Sequence, residues 1–384
     1  MRTPARRLQG LVQSDIRRMT RECERVGGIN LGQGICDLAT PPLVRDGAIA
    51  AIKAGHSTYS FAEGIAPLRK AIAEKLIRDN GIRADPASEI VVTAGSSGAY
   101  ASALFALLDA GDGILLFEPY YGYHLNTALV AGLEPQFLTL DAPKFRLDEQ
   151  KLRAAIKPNT RAVVVCSPSN PCGRMFEIDE LRALERVARE FDLWVITDEI
   201  YEYIRYDGRE HVSPATIAGL AERTVTIMGL SKTFSITGWR LGYAVAREDV
   251  ARAIALVHDL FFICAPTPLQ HGVAAGFRAP KSYFDELQGQ FARKREWTCA
   301  ALSAAGLEPI VPEGAYYVLA DITRLGLANA RAAALAILER TGVATVPGTS
   351  FYQGSAGERF VRVCYAKEDD VLRDACTRLA TLAS

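Results

Sequence analysis

The chain has 384 residues, 49% of them hydrophobic and 23% charged, enough for two domains of an ordinary globular protein. Its 44 basic and 44 acidic residues cancel, which argues against nucleic acid or another polyanion as a partner. Eight cysteines without a C-x-x-C pair and five histidines without metal-ligand spacing point to a reduced, cytoplasmic protein with no bound metal, and no run approaches the roughly 18 apolar residues of a membrane span.

The N-terminal segment is rich in arginine (Arg2, Arg6, Arg7, Arg17, Arg18) but has no apolar core like that of a signal peptide. Asp15, Glu22 and Glu24 interrupt the basic run, so it reads as a mature arm. Ser14 is placed to cap a helix whose Ile16, Met19, Cys23 and Val26 fall on one stripe. Residues 29–37 then read I-N-L-G-Q-G-I-C-D, where Gly32 and Gly34 permit a tight turn or close backbone approach. Thr58-Tyr59-Ser60 precedes a helical run over 67–79.

From residue 89 onward, apolar runs at 89–93, 113–117, 161–166, 193–197 and 224–227 alternate with helical patterns such as 177–191. This alternation predicts a mainly parallel sheet with helices on both faces and ligands at the carboxyl ends of its strands. Several motifs sit at such ends. Thr93 to Gly98 (T-A-G-S-S-G) opens a helix over 99–108, and a helix N-terminus offers free N–H groups to a phosphate. Glu118 to Tyr123 (E-P-Y-Y-G-Y) presents aromatic faces able to stack on a ring. Ser167 to Gly173 (S-P-S-N-P-C-G) reads as a turn. Asp198 ends an apolar strand, where a carboxylate must find a cation, and a protonated pyridine nitrogen is one. Tyr201 is expected one helical turn further on.

The stretch Met228 to Tyr243 reads M-G-L-S-K-T-F-S-I-T-G-W-R-L-G-Y. Lys232 lies at the mouth of a buried strand, where desolvation lowers an amine's pKa and suits it to a Schiff base with an aldehyde. Arg240 offers paired donors to a phosphate. Aldehyde plus phosphate describes pyridoxal 5′-phosphate (PLP). Further on, 261–268 reads as a loop entering a helix, 280–305 as a long helix bridging into a smaller domain, and 314–321 as a strand. Arg362 lies in an alternating strand at 360–366, where the simplest reading is an exposed cross-strand partner.

S-K-T-F-S-I-T-G-W-R-L-G-Y resembles the cofactor-lysine segment of class I/II aminotransferases, and matching segments follow in order from Asn30 to Ala366. The resemblance implies an α/β protein of PLP fold type I. A large domain (46–278) would hold a mainly parallel sheet, and residues 1–45 and 279–384 would form an N-terminal arm and a smaller α+β domain. It implies that Lys232, Asp198 and Tyr201 are catalytic. Gly95, Ser96, Ser97, Ser231 and Arg240 would take the phosphate side of PLP, and Tyr121 would stack on its ring. Asn170 and Tyr201 would meet the phenolic oxygen, and Gly34, Asn170 and Arg362 the substrate, with Arg362 clamping its α-carboxylate. Tyr59 would reach the phosphate of the neighbouring subunit in a homodimer.

The expected reaction is ping-pong transamination between an amino acid and a 2-oxo acid. Some aspartate-using relatives carry a lysine where Ser97 stands, and Ile35, Cys36 and Asp37 at the mouth are apolar or repel an anion. A neutral aliphatic or aromatic donor is therefore expected, with a basic donor favoured by Asp37 or a dicarboxylic one as alternatives. A carbon–sulfur β-lyase on the same fold is the nearest rival. A PLP domain of a transcription regulator is a second, but such proteins carry an N-terminal DNA-binding module, and about 30 residues precede the matching segments here.

Overall fold

The computed structural model describes residues 15–383 together with Ala5, Leu8 and Leu11; the expected Ser14 cap and Arg2, Arg6 and Arg7 lie outside the described residues. From the N-terminus the order is α1 (Asp15–Val26), β1 (Ile29–Asn30), α2 (Pro42–Lys53), α3 (Ala66–Lys75), β2 (Ile90–Ala94), α4 (Gly95–Leu107) and β3 (Gly113–Glu118). There follow α5 (Gly122–Val130), β4 (Glu134–Thr139), α6 (Glu149–Ala155), β5 (Thr160–Cys166), α7 (Ile178–Glu190), β6 (Trp194–Asp198) and β7 (Thr224–Gly229). Then come α8 (Leu230–Thr233), β8 (Leu241–Val245), α9 (Glu248–Phe262), α10 (Thr267–Gly276), α11 (Lys281–Ala304), β9 (Glu308–Ile310) and β10 (Tyr317–Asp321). The chain closes with α12 (Ala330–Thr341), β11 (Val343–Ala344), β12 (Val346–Pro347), β13 (Phe360–Cys364) and α13 (Asp369–Ala380).

Seven strands form the large sheet in the order β2-β8-β7-β6-β5-β3-β4. β4, β3, β5, β6 and β7 run parallel, and β8 lies antiparallel between β2 and β7. The central strands are buried on both faces, which is why they read as continuous apolar runs. Leu116, Val164, Ile196 and Ile227 pack on one face against Ala103 of α4 and Ile254 of α9. Leu115, Val163, Val165 and Val195 pack on the other against Leu181, Leu184 and Val187 of α7.

A second, antiparallel sheet has the order β12-β13-β10-β9, and β1 pairs in parallel with β11. A separate cluster joins Met19 and Cys23 of α1 to Phe291 of α11, Ile337 of α12 and Leu372 of α13.

Several expectations shift. The phosphate turn is the first turn of α4 itself, since the helix begins at Gly95. The run over 67–79 is α-helical only to Lys75 and closes in a π turn, Leu76–Asn80. The strand expected at 314–321 begins at Tyr317, after Ala315 takes a φ of 57°. Helix α9 continues to Phe262, leaving a shorter loop before α10 than 261–268. No helix joins Asp198 to Tyr201; the chain turns there instead. Arg362 is 1% exposed, so the cross-strand surface reading fails.

Candidate active site

β7 ends at Gly229, and the single helical turn α8 carries Ser231 and Lys232 off the carboxyl end of the sheet. The Lys232 ammonium donates to the Gly34 carbonyl at 3.2 Å and lies 5.4 Å from the centre of the Tyr316 ring. Loss of hydration there pulls its pKa below the ordinary lysine value. Gly34 is held by the Tyr316 hydroxyl, which donates to the same carbonyl at 3.1 Å. A Cβ at Gly34 would overlap the Tyr317 hydroxyl, so only glycine lets this loop approach. The Tyr317 and Tyr201 hydroxyls share a hydrogen bond of 3.1 Å. Burial pushes Tyr317 up to about 12 and raises Tyr201 as well, so both stay protonated donors at neutral pH.

One strand over, β6 delivers Asp198, which is 6% exposed. Its Oδ2 lies 2.9 Å from Nε2 of His124 on α5, and its Oδ1 accepts from the Ile200 N–H at 3.4 Å. The His124 ring packs 4.7 Å from Tyr100 and meets Tyr121 edge-on at 5.3 Å, which fixes the imidazole behind the carboxylate.

At the start of α4 no side chain caps the helix, so the first-turn N–H groups of Gly95, Ser96 and Ser97 are free to meet an anion. Arg240, itself at a φ of 56°, crosses in front and donates to the Ser97 hydroxyl at 2.9 Å. Gly95 has a φ of 74°, and a Cβ there would fall 2.9 Å from the Arg240 Cζ. Gly242 on β8 plays the matching part: its Cβ would lie 2.5 Å from the Ser96 nitrogen. Two glycines therefore let an uncapped helix end, a strand and a guanidinium converge.

Arg362 comes from β13 of the other sheet. It donates to the Asn170 side-chain oxygen at 2.8 Å and to the Gly32 carbonyl at 2.6 Å, with its guanidinium 4.4 Å from the Tyr317 ring centre. Its Nε is buried with no partner among the described residues.

Gly34, Ser96, Ser97, Tyr121, Asn170, Asp198, Tyr201, Ser231, Lys232, Arg240 and Arg362 all line one cavity of about 430 Å³. Gly95 sits behind Arg240 and Tyr59 is 77% exposed; neither lines it. The residues fit PLP: an amine for its aldehyde, a buried carboxylate for its ring nitrogen, and a glycine-made anion cradle for its phosphate. Among the described residues no cluster suits a metal ion.

Residues 26–379 match the family model for aminotransferase class I and II. The chain belongs to the class I and II aminotransferases. It is a PLP-dependent aminotransferase of the aspartate aminotransferase-like fold. It is 34% identical to aromatic-amino-acid aminotransferase 2 of Thermococcus litoralis over 377 residues, 97% of this chain and 96% of that protein. It is 34% identical to the aspartate aminotransferase of Bacillus subtilis over 358 residues, 91% and 90% of the two chains. The solved structure of N-succinyldiaminopimelate aminotransferase from Mycobacterium tuberculosis superposes with a TM-score of 0.96 at 32% identity, covering 99% of this chain and all of that one.

Among the lining residues of this aminotransferase, Tyr100, His124 and Tyr317 carry no site role in the sequence reading, and Arg17 reads there only as part of the basic N-terminal segment. His124 directly follows the E-P-Y-Y-G-Y motif, and that adjacency was the available signal. Asp37 is the reverse case. Its carboxylate is taken by the Lys367 ammonium and does not line the cavity, so it neither repels an anion nor attracts a basic side chain. Cys36 is buried against the Ser235 hydroxyl and leaves only Ile35 at the mouth.

Proposed function

We propose that the enzyme exchanges the amino group of a neutral amino acid, aliphatic or aromatic, with a 2-oxo acid by ping-pong kinetics. The supporting observation is the cavity lining, where Ile16, Ile35 and Tyr123 offer apolar and aromatic surface to a substrate side chain. A second carboxylate buried there without its own cation would cost several kcal/mol.

In this reading Arg362 holds the substrate α-carboxylate, for which its unpartnered Nε leaves capacity. Bound PLP supplies the sink for the electrons left on Cα. Lys232 removes the Cα proton and returns it at the cofactor's C4′, a task suited to an amine of lowered pKa. Asp198, oriented by His124, keeps the ring nitrogen protonated, while Tyr201 and Asn170 address the phenolic oxygen and Tyr121 flanks the ring. Arg240, Ser231 and the first turn of α4 hold the phosphate.

The large body, 46–278, carries the cofactor, and the arm and smaller domain bring the substrate clamp. We place the enzyme as a cytoplasmic homodimer in amino acid biosynthesis. Eight free cysteines support the reducing compartment. Tyr59 and Phe61, 77% and 80% exposed, support a second subunit at whose phosphate Tyr59 would act. A donor-by-acceptor panel tests the assignment: kcat/KM for leucine, methionine or phenylalanine should exceed that for aspartate. A tenfold preference for aspartate would overturn it, and pyruvate release without an amino acceptor would make the enzyme a β-lyase.

A further inference from the structure

The anion cradle at the start of α4 is made of backbone N–H groups, so its geometry depends on what holds the peptide planes of the turn. A peptide unit is planar, and its carbonyl and the following N–H point in opposite directions. The Thr93 hydroxyl donates to the Gly95 carbonyl at 3.0 Å, which sets the direction of the Ser96 N–H in the same plane. The Thr93–Ala94 plane is held separately, because the Ala94 N–H donates to Nε2 of His258 at 2.9 Å. The Gly95 N–H belongs to the plane between these two and is therefore tethered at both ends.

His258 reaches this point from α9 and is 0% exposed. Ile254 and Ala255 of the same helix share a core with Ala99 and Ala103 of α4, and the Phe262 ring lies 5.1 Å from the imidazole. A ring nitrogen accepts a hydrogen bond only when it carries no proton. Burial lowers the His258 pKa, although the Ala62 backbone and the Asp259 carboxylate favour the protonated ring, so Nε2 is available as an acceptor at neutral pH. The ring proton then sits on Nδ1, which lies by the Ala62 backbone without a hydrogen bond of regular geometry among the described residues. Packing alone would be better served here by an apolar side chain, since a buried polar group costs free energy unless it is hydrogen-bonded. The one side-chain hydrogen bond of His258 among the described residues goes to the turn that precedes Gly95.

We propose that His258 is a positioning residue for the cofactor phosphate: it anchors the Thr93–Ala94 peptide, so that the first-turn N–H groups of α4 keep a common direction toward the anion. His258 does not line the cavity and acts only through the backbone of the turn. The proposal rests on the phosphate assignment of that turn and adds the side chain that fixes it from behind.

The test titrates the full-length enzyme, stripped of cofactor, with PLP and with pyridoxal, which offers the same aldehyde and ring but no phosphate. In equilibrium dialysis the wild type should bind PLP more tightly than pyridoxal. His258→Leu fills the space without an acceptor and should weaken PLP about tenfold, the effect of one lost hydrogen bond, while leaving pyridoxal within twofold. His258→Gln brings an amide oxygen near the place of Nε2 and should regain most of the loss; His258→Asn, one methylene shorter, should not. A general packing defect would weaken both ligands alike, so equal losses for PLP and pyridoxal overturn the proposal. If His258→Leu does not fold, the two amide variants decide, and equal PLP affinities for Gln and Asn overturn it. A wild type that binds PLP no more tightly than pyridoxal overturns the phosphate assignment itself. That failure is distinct from failure of His258 alone, in which the wild-type preference for PLP persists.

Discussion

The anion cradle makes a quantitative prediction through Gly95→Ala. The residue holds a φ of 74°, and its new Cβ would lie 2.9 Å from the Arg240 Cζ. These two facts act on different observables. A left-handed backbone at a non-glycine residue costs about 1–2 kcal/mol, and that cost is present with or without PLP, so it should appear as lost folding stability of the apo enzyme in a denaturant titration. The steric conflict instead moves the Arg240 guanidinium away from Ser97 and from the phosphate. A hydrogen bond to a charged group contributes about 1.5–3 kcal/mol, so PLP affinity should fall roughly 10- to 150-fold. Equilibrium dialysis of PLP against Gly95→Ala, Arg240→Gln and the double variant separates the routes. If Gly95 acts through Arg240, the double variant binds PLP no worse than Arg240→Gln alone. Additive losses would refute the reasoning and place the effect in the helix end itself.

Three further predictions concern Lys232 and Tyr59. Lys232→Ala should remove the visible absorbance of the lysine-bound cofactor and abolish half-reaction turnover while leaving the circular dichroism unchanged; full activity would end its assignment. Because burial lowers the Lys232 pKa, more of the amine is unprotonated at a given pH, so recombination of apo enzyme with PLP should rise with pH through a midpoint below the 10.5 of an ordinary lysine. A midpoint at the ordinary value would show that the amine is hydrated. Mixing Tyr59→Phe with Lys232→Ala should produce heterodimers with one complete site and recovered activity. No recovery, with heterodimers demonstrated, would remove Tyr59 from the neighbouring site.

The parallel sheet was readable because strands buried on both faces are unbroken apolar runs separated by amphipathic helices. The edge strand β4 was not: E-P-Q-F-L-T carries a proline and alternates only partly, and an edge tolerates both. β8 was hidden by the strong motif that contains it, and nothing local shows that L-G-Y-A-V enters the sheet backwards between β2 and β7. The same limit applies to side chains. Lys232, Asp198 and Arg240 stood out because each violates its surroundings, a charge at the end of an apolar strand or after a glycine-rich turn. Arg362 lies in a strand whose alternation looks ordinary, so its burial follows only from the contacts with Asn170 and Gly32, and its role was read from family resemblance. His124 lies on an unremarkable helix, and its importance comes from what the fold sets opposite it. Asp37 misled for the converse reason: its partner Lys367 is 330 residues away.

That distance between partners also explains why residues 29–37 matter more than their two glycines suggest. Lys232 is delivered by the seven-stranded sheet and Arg362 by the four-stranded one, and among the described residues no strand pairing joins those sheets. The two cations meet on consecutive turns of one segment, Arg362 at the Gly32 carbonyl and Lys232 at the Gly34 carbonyl. A carboxylate is a stronger acceptor for a guanidinium than a neutral carbonyl, because it adds opposite charge and can accept two parallel bonds. On the proposed roles, an arriving α-carboxylate would compete favourably for Arg362, and Schiff-base formation with an aldehyde would convert the Lys232 ammonium to an imine, a poorer donor to the Gly34 carbonyl. Both carbonyls are left needing donors, and Tyr316, which already donates to Gly34, retains one of them. On that reading the glycine segment holds the two cations in place by bonds that substrate and cofactor would displace.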